Sequence, residues 1–301
     1  MSTAPLPDVR RTFVYKSIEG TDIEADVLGA EPGKVKPCVM WIHGGGLIFG
    51  SRTISPRPSF ARALLDRGFV VVSVDHRLAP ETKLPAITED ILDAWQWLRE
   101  CGPELFGADP NRLSIAGASA GGYLALMAGH RITPRPRAVA AFWGYGDITA
   151  PWEAEPSSHY LSADLVTRSE AVASLALSPV PTASGTDRSV FYLYCRQQGQ
   201  WLPEVAGHEL AHDRAWFEPY CPLRNIDPSF PATFLIHGMS DTDVPFDESM
   251  KLAKTLQANG VTHRFLSLPG VGHGFAGAAA SEVQSAEEAV ADFISFHLHA
   301  Q

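Results

Sequence analysis

Short, nearly unbroken apolar runs recur along the chain, each followed by a longer stretch with helical spacing. That alternation restricts the fold more than any other feature. The runs are VKPCVMWI (35–42), GFVVVSVD (68–75), RLSIAG (112–117), AVAAFW (138–143), ATFLIHG (232–238) and THRFLSLPG (262–270). A strand apolar on both sides needs cover on both faces, which a sheet sandwiched between helix layers supplies. The intervening SFARALLDRG stops at a C′ glycine, Gly68, and LPAITEDILDAWQWLRE carries Pro85 near its start, as helix ends require. GGYLALMAGHR, DESMKLAKTLQANG and SEVQSAEEAVADFISFHL complete the helical set. Strands alternating with helices imply crossover connections and a mostly parallel sheet. TFVYKSIEGTDIEADVL (12–28) instead alternates polar and apolar residues around Glu19-Gly20-Thr21-Asp22, which predicts an antiparallel hairpin at the sheet edge.

From Thr149 to about Arg224 the alternation lapses into prolines, polar loops and aromatics, among them Trp152, Tyr160, Phe191, Tyr192, Tyr194, Trp201, Trp216, Phe217 and Tyr220. This is too long for a connection inside a compact domain. It predicts a cap or lid (149–224) inserted into a core made of 1–148 and 225–301. A chain of 301 residues, 45% hydrophobic, is long enough for such a core. The net charge of 24 − 34 = −10, with no run of like charge, argues against nucleic acid or an anionic membrane as partner. Cys38, Cys101, Cys195 and Cys221 lack paired spacing and read as buried thiols of a reducing compartment. The opening MSTAPLPDVRR holds no apolar leader core, and no run approaches a membrane span, so a cytoplasmic location is expected.

WIHGGGLIFG (41–50) ends a strand in three glycines, Gly44, Gly45 and Gly46. Glycine weakens a strand, so bare backbone must be needed there. Gly117-Ala118-Ser119-Ala120-Gly121, between an apolar strand and a helix, has the frame of a nucleophile elbow: a strained turn that exposes a serine hydroxyl at the carboxyl end of the sheet. Serine needs a base, and the base needs an acid to fix its tautomer. In the order that accompanies such an elbow, Asp241 of FLIHGMSDTDVP and His273 of LSLPGVGHGF each follow a strand. Asp243 is the rival acid. Attack on a carbonyl creates an oxyanion that backbone N–H groups must meet; Gly45, Gly46 and Ala120 are the candidates. His43 is expected to order the glycine loop by hydrogen bonding.

HGGG, DHRLAPE (75–81), GASAGG, HGMSD and HGF, in that order, resemble the hormone-sensitive-lipase-like branch of the α/β hydrolases, the bacterial family IV esterases. The likeness spans about 35–145 and 230–299. It implies the α/β-hydrolase fold, hydrolysis of a carboxylic ester by Ser119, Asp241 and His273 with the hole at Gly45, Gly46 and Ala120, and no metal or organic cofactor. Ala118, His76 and Tyr123 stand where family members commonly carry an acidic residue, tyrosine and asparagine. The N-terminal segment is a hairpin rather than a helical cap, so 149–224 must supply most of the lid.

GHELAHD (207–213) contains H-E-x-x-H, in which His208 and His212 of one helix would bind zinc and Glu209 would activate water. The segment 203–217 reads as helical, but Ala215 and Glu218 replace the glycine and histidine of the extended motif, and Pro219 stops the helix. The reading drawn is a serine carboxylesterase for a small to medium apolar or aromatic ester, with Trp216 and Phe217 of the lid packing on the core or lining the pocket. An amidase or formamidase with the same triad, a zinc metallopeptidase and a non-catalytic small-molecule receptor are the alternatives. The expected partner is a small-molecule ester, with a homodimer left open.

Overall fold

The computed structural model describes residues 10–53, 57–175 and 188–299. The first nine residues, on which the leader reading falls, and 176–187 of the expected insertion lie outside them. Eight strands form one sheet: β1 Arg10–Ile18, β2 Thr21–Leu28, β3 Lys36–Ile42, β4 Val70–Val74, β5 Ala108–Ala118, β6 Ala138–Phe142, β7 Ala232–Gly238 and β8 His263–Leu268. Their order is β1-β2-β4-β3-β5-β6-β7-β8. The pairs β1/β2 and β2/β4 are antiparallel and all later pairs parallel. The expected hairpin closes through Glu19 (φ 51°) and Gly20 (φ 80°), the doubly positive φ that suits the twist of a two-residue turn.

Along β3 the side chains alternate between two cores. Cys38, Met40 and Ile42 face the helices Leu84–Glu100, Ala120–Arg131 and Phe246–Ala258, while Val39 and Trp41 face Pro58–Asp66 and Ala280–His299. Both faces are dry, which is why these strands read as continuous apolar runs. The connection after β3 enters one helix layer and that after β5 enters the other. The crevice between those two carboxyl ends is the switch point at which open α/β sheets place ligands. HGGG and Ser119 sit on its two sides.

Between β6 and β7 the described residues of 149–224 hold no strand, only short helices: Pro151–Ala154, Arg168–Ala173, Arg188–Gln198, Trp201–Ala206, Leu210–Asp213 and Pro222–Asn225, with 3₁₀ turns at Tyr160–Ser162 and Arg214–Tyr220. The continuous helix expected over 203–217 is not formed. Gly207 ends one helix in the left-handed region (φ 74°), and Glu209 is extended. Cys101, expected inside, is exposed, because it ends the Leu84–Glu100 helix at the surface. Among the described residues no helix is long and apolar enough to cross a membrane.

Candidate active site

Ser119 is the hinge between β5 and the helix Ala120–Arg131, with φ 55° and ψ −122°, a conformation that a non-glycine residue holds only under constraint. Its N–H donates to Phe142 O at 2.8 Å and its carbonyl accepts from Tyr123 N at 3.0 Å. The turn also demands bare backbone next to the serine. A Cβ on Gly121 would overlap the carbonyl oxygens of Ile42 and His43, main-chain atoms that cannot swing aside. Gly121→Ala is expected to lower stability by about 1–3 kcal/mol through overpacking. An unchanged urea midpoint would contradict this contact.

The glycine loop lies against the elbow: a Cβ on Gly44 would come within 2.8 Å of Ala118 O and 3.3 Å of Ser119 Cβ. Among the described residues no group accepts a hydrogen bond from the N–H of Gly45 or Gly46, whose φ values are 114° and 59°. Ala120 N–H belongs to the unpaired first turn of its helix. Three donors therefore border the crevice. His43 Nδ1–H donates to Gly44 O at 2.7 Å, and its ring stacks on His76 with centroids 4.4 Å apart. Burial, then the neighbouring His76, pushes His43 down to about 3, so it stays neutral and orders the loop as expected. DHRLAPE braces the same loop. Ala79 N–H donates to Leu47 O at 2.8 Å, and Glu81 pairs through both oxygens with Arg188 (2.9 and 2.7 Å), which also donates to Ile48 O.

Asp241 and His273 meet at the rim beyond β7 and β8: His273 Nδ1–H donates to Asp241 Oδ2 at 2.8 Å. The other oxygen, Oδ1, accepts from the N–H groups of Asp243 and Val244, both at 2.9 Å. His237 Nε2, facing the acceptors Val244 O (3.1 Å) and Asp241 Oδ2 (3.2 Å), must be a donor, and its Nδ1 accepts from Ser249. Burial alone would raise the Asp241 carboxyl, but bonds from His237 and His273 hold it well below the carboxylate range. Burial lowers the His273 imidazole, yet the bond to Asp241 and the charges of Asp243 and Asp241, opposed by Arg196, leave it raised above 6.5. Asp243, the rival acid, faces the other nitrogen, with Oδ2 3.7 Å from Nε2. Trp143 bridges the two halves of the site. It follows Phe142, which holds the Ser119 amide, and its ring lies edge-on to His273 at 5.8 Å. Among the described residues no hydrogen bond joins Ser119 Oγ to His273; such bonds are often long before substrate binds.

Trp216 and Phe217 both pack against the core, one of the two placements expected of them. Phe217 is fully buried in the core, and Trp216 stacks on His208 (4.0 Å) and Tyr220 (4.7 Å). The Phe217 ring is enclosed, whereas Trp216 is only partly buried. Tyr192 lies against the glycine loop. Its ring abuts Gly46 and Phe49, and its hydroxyl donates to Asp243 Oδ1 at 3.1 Å. Trp201 Nε1–H donates to Gly46 O at 2.8 Å. Tyr192 and Trp201 were visible in the sequence only as two among many aromatics. Trp143 carried a better signal, since it ends a parallel strand at the rim where functional loops begin. His208 lies outside any helix and bonds to Asp213 at 3.0 Å. The two histidines of HELAH therefore do not share one helical turn, and among the described residues no cluster of three or more metal-ligating side chains is present.

The chain belongs to the alpha/beta hydrolase fold family, which it matches over residues 39–277. It is 30% identical over 299 residues to the non-reducing polyketide synthase Preu6 of Preussia isomera, a match that takes in 88% of this chain and 14% of that protein. The chain thus spans about a seventh of this curated relative. Solved structures of similar fold include a protein of unknown function from Staphylococcus aureus (TM-score 0.78, 21% identity, 96% of this chain and 99% of that one). Another is EstE1, a thermostable carboxylesterase cloned from a metagenomic library (TM-score 0.71, 23% identity, 99% and 92%).

Proposed function

We propose that this chain is a serine carboxylesterase whose catalytic core is 1–148 with 225–301 and whose lid is 149–224. The observation that carries the reading is the bonded pair Asp241–His273 beside a strained serine elbow, with the unpaired N–H groups of Gly45, Gly46 and Ala120 at the same rim. In this mechanism His273 Nε2 takes the Ser119 proton as Oγ attacks the ester carbon, and the three N–H groups receive the oxyanion. Collapse breaks the bond to the alcohol oxygen, which leaves with the proton from His273. Water, activated by the same nitrogen, then releases the acid from Ser119. Asp241 holds the Nδ1–H tautomer and stabilises the cation that forms.

Tyr192, Tyr160, Trp143 and Trp152 around the site favour an apolar or aromatic ester, since rings bury ligand surface well. The likeness to a segment of polyketide synthases adds acyl groups of polyketide type to the range worth assaying. A serine-directed organophosphate tests the reading: it should add one equivalent to the wild type by intact mass, with or without chelator, and none to Ser119→Ala. Labelling elsewhere, or none, would overturn it. The base must be neutral to accept a proton, so kcat/KM should fall as pH drops through the His273 value, which lies above that of free histidine, about 6.5. Asp243→Asn, by removing a charge that raises His273, should move that acid limb to lower pH. A profile flat to well below pH 6 would contradict the assignment.

A further inference from the structure

We infer that Asp243 is a specificity-determining residue on the leaving-group side, selecting esters whose alcohol carries a neutral hydroxyl next to the ester oxygen; the inference rests on the proposed esterase reading. In that reaction the leaving oxygen must approach His273 Nε2, since that nitrogen returns the proton. Asp243 Oδ2 lies 3.7 Å from the same nitrogen, so whatever departs passes beside this carboxylate. Oδ1 is held by the Tyr192 hydroxyl at 3.1 Å, and the backbone N–H of Asp243 is fixed on Asp241 at 2.9 Å. The same hydroxyl lies 3.5 Å from Oδ2, which also faces His273 and the reaction space, with 12% of the side chain exposed. A carboxylate oxygen only accepts, so its complement is an O–H or N–H.

Charge decides between a neutral and a cationic donor. Arg196 Nη2 lies 3.8 Å from Asp243 Oδ1 and 3.3 Å from its backbone carbonyl. It is itself pinned by Glu153 at 2.9 Å and packed over the rings of Trp152, Tyr160 and Tyr192. Burial opposes its charge, but Glu153 and then the neighbouring tyrosine and Asp243 hold Arg196 ionised. With Arg196 already beside Oδ1, the carboxylate has a cationic partner, so a neutral hydroxyl rather than a second cation completes the set. The chemical class is therefore the monoester of a vicinal diol.

The test compares acetate release from 2-hydroxyethyl, 2-methoxyethyl and 2-aminoethyl acetate. The first two have similar leaving groups, but only the first presents a donor. The wild type should favour 2-hydroxyethyl over 2-methoxyethyl acetate in kcat/KM by about tenfold to a hundredfold, the worth of a charge-assisted hydrogen bond. Asp243→Asn should shrink that ratio several-fold, and so should Tyr192→Phe, which frees the carboxylate to turn. Hydrolysis of both esters at equal rates by the wild type would overturn this inference alone, as would a ratio unchanged in Asp243→Asn or a preference for the amino ester. No acetate release from any of the three, or release that survives Ser119→Ala, would overturn the esterase reading and this inference with it.

Discussion

Ser119→Ala is expected to lower kcat on an ester by about 10⁴- to 10⁶-fold, the range seen when the nucleophile of a serine triad is removed. KM should move little, because the hydroxyl contributes to bond-making rather than to holding substrate. Alanine keeps a Cβ at φ 55°, so the elbow should retain its shape and the thermal midpoint should stay near that of the wild type. That stability measurement separates loss of chemistry from loss of fold. Some rate over water should persist, since the N–H groups of Gly45, Gly46 and Ala120 would still polarise the carbonyl. Esterase activity near the wild-type level, or peptide cleavage that survives the substitution and is abolished by chelator, would move attention to His208, Glu209 and His212.

Asp241→Asn should cost about 10⁴-fold in kcat/KM, the effect of placing an amide where the base needs a carboxylate. The geometry shows why. Two main-chain N–H groups, of Asp243 and Val244, fix the acceptor Oδ1, so the amide NH2 of an asparagine must occupy the position of Oδ2. There it would face two donors, His273 Nδ1–H and His237 Nε2–H. His273 would have to move its proton to Nε2, and an Nε2 that already carries a proton cannot accept one from Ser119. Asp243→Asn leaves that arrangement intact, so its effect on a plain alkyl ester should fall far short of the Asp241 variant. Equal losses in the two would restore Asp243 as the acid.

Much of the site was legible because its chemistry makes local demands. A strand that stops at GASAG can serve an elbow only if small residues flank the serine, and Gly121 indeed touches the carbonyls of Ile42 and His43. The hairpin at Glu19-Gly20 and the helix stop at Gly68 (φ 79°) were legible for the same reason, since positive φ selects the residue. The choice of Asp241 over Asp243 rested on order and placement. In the structure Asp241 bonds Nδ1 of His273 and Asp243 faces the opposite nitrogen.

The insertion was less legible. HELAH looked helical because its spacing fits one turn, but Gly207 ends the preceding helix and Glu209 is extended. Trp216 and Phe217 were expected to pack on the core or line the pocket because they are large and apolar. Phe217 is buried, while Tyr192, some 25 residues earlier, reaches Gly46 and Asp243.

The sequence by itself determined the single sheet covered by helices on both faces, the turn at Ser119, the glycine loop and the loops that carry Asp241 and His273, since each is a matter of backbone conformation or of periodicity read over a few residues. Only the tertiary structure decided which aromatics of 149–224 reach the glycine loop, that His237 bonds Asp241, and that Arg196 and Tyr192 hold a second carboxylate beside His273. Those contacts join residues far apart along the chain, and dispersion and hydrogen bonding reward whichever partners the packing brings within reach. Nothing in the local pattern of a ring or a charge records which partner that will be.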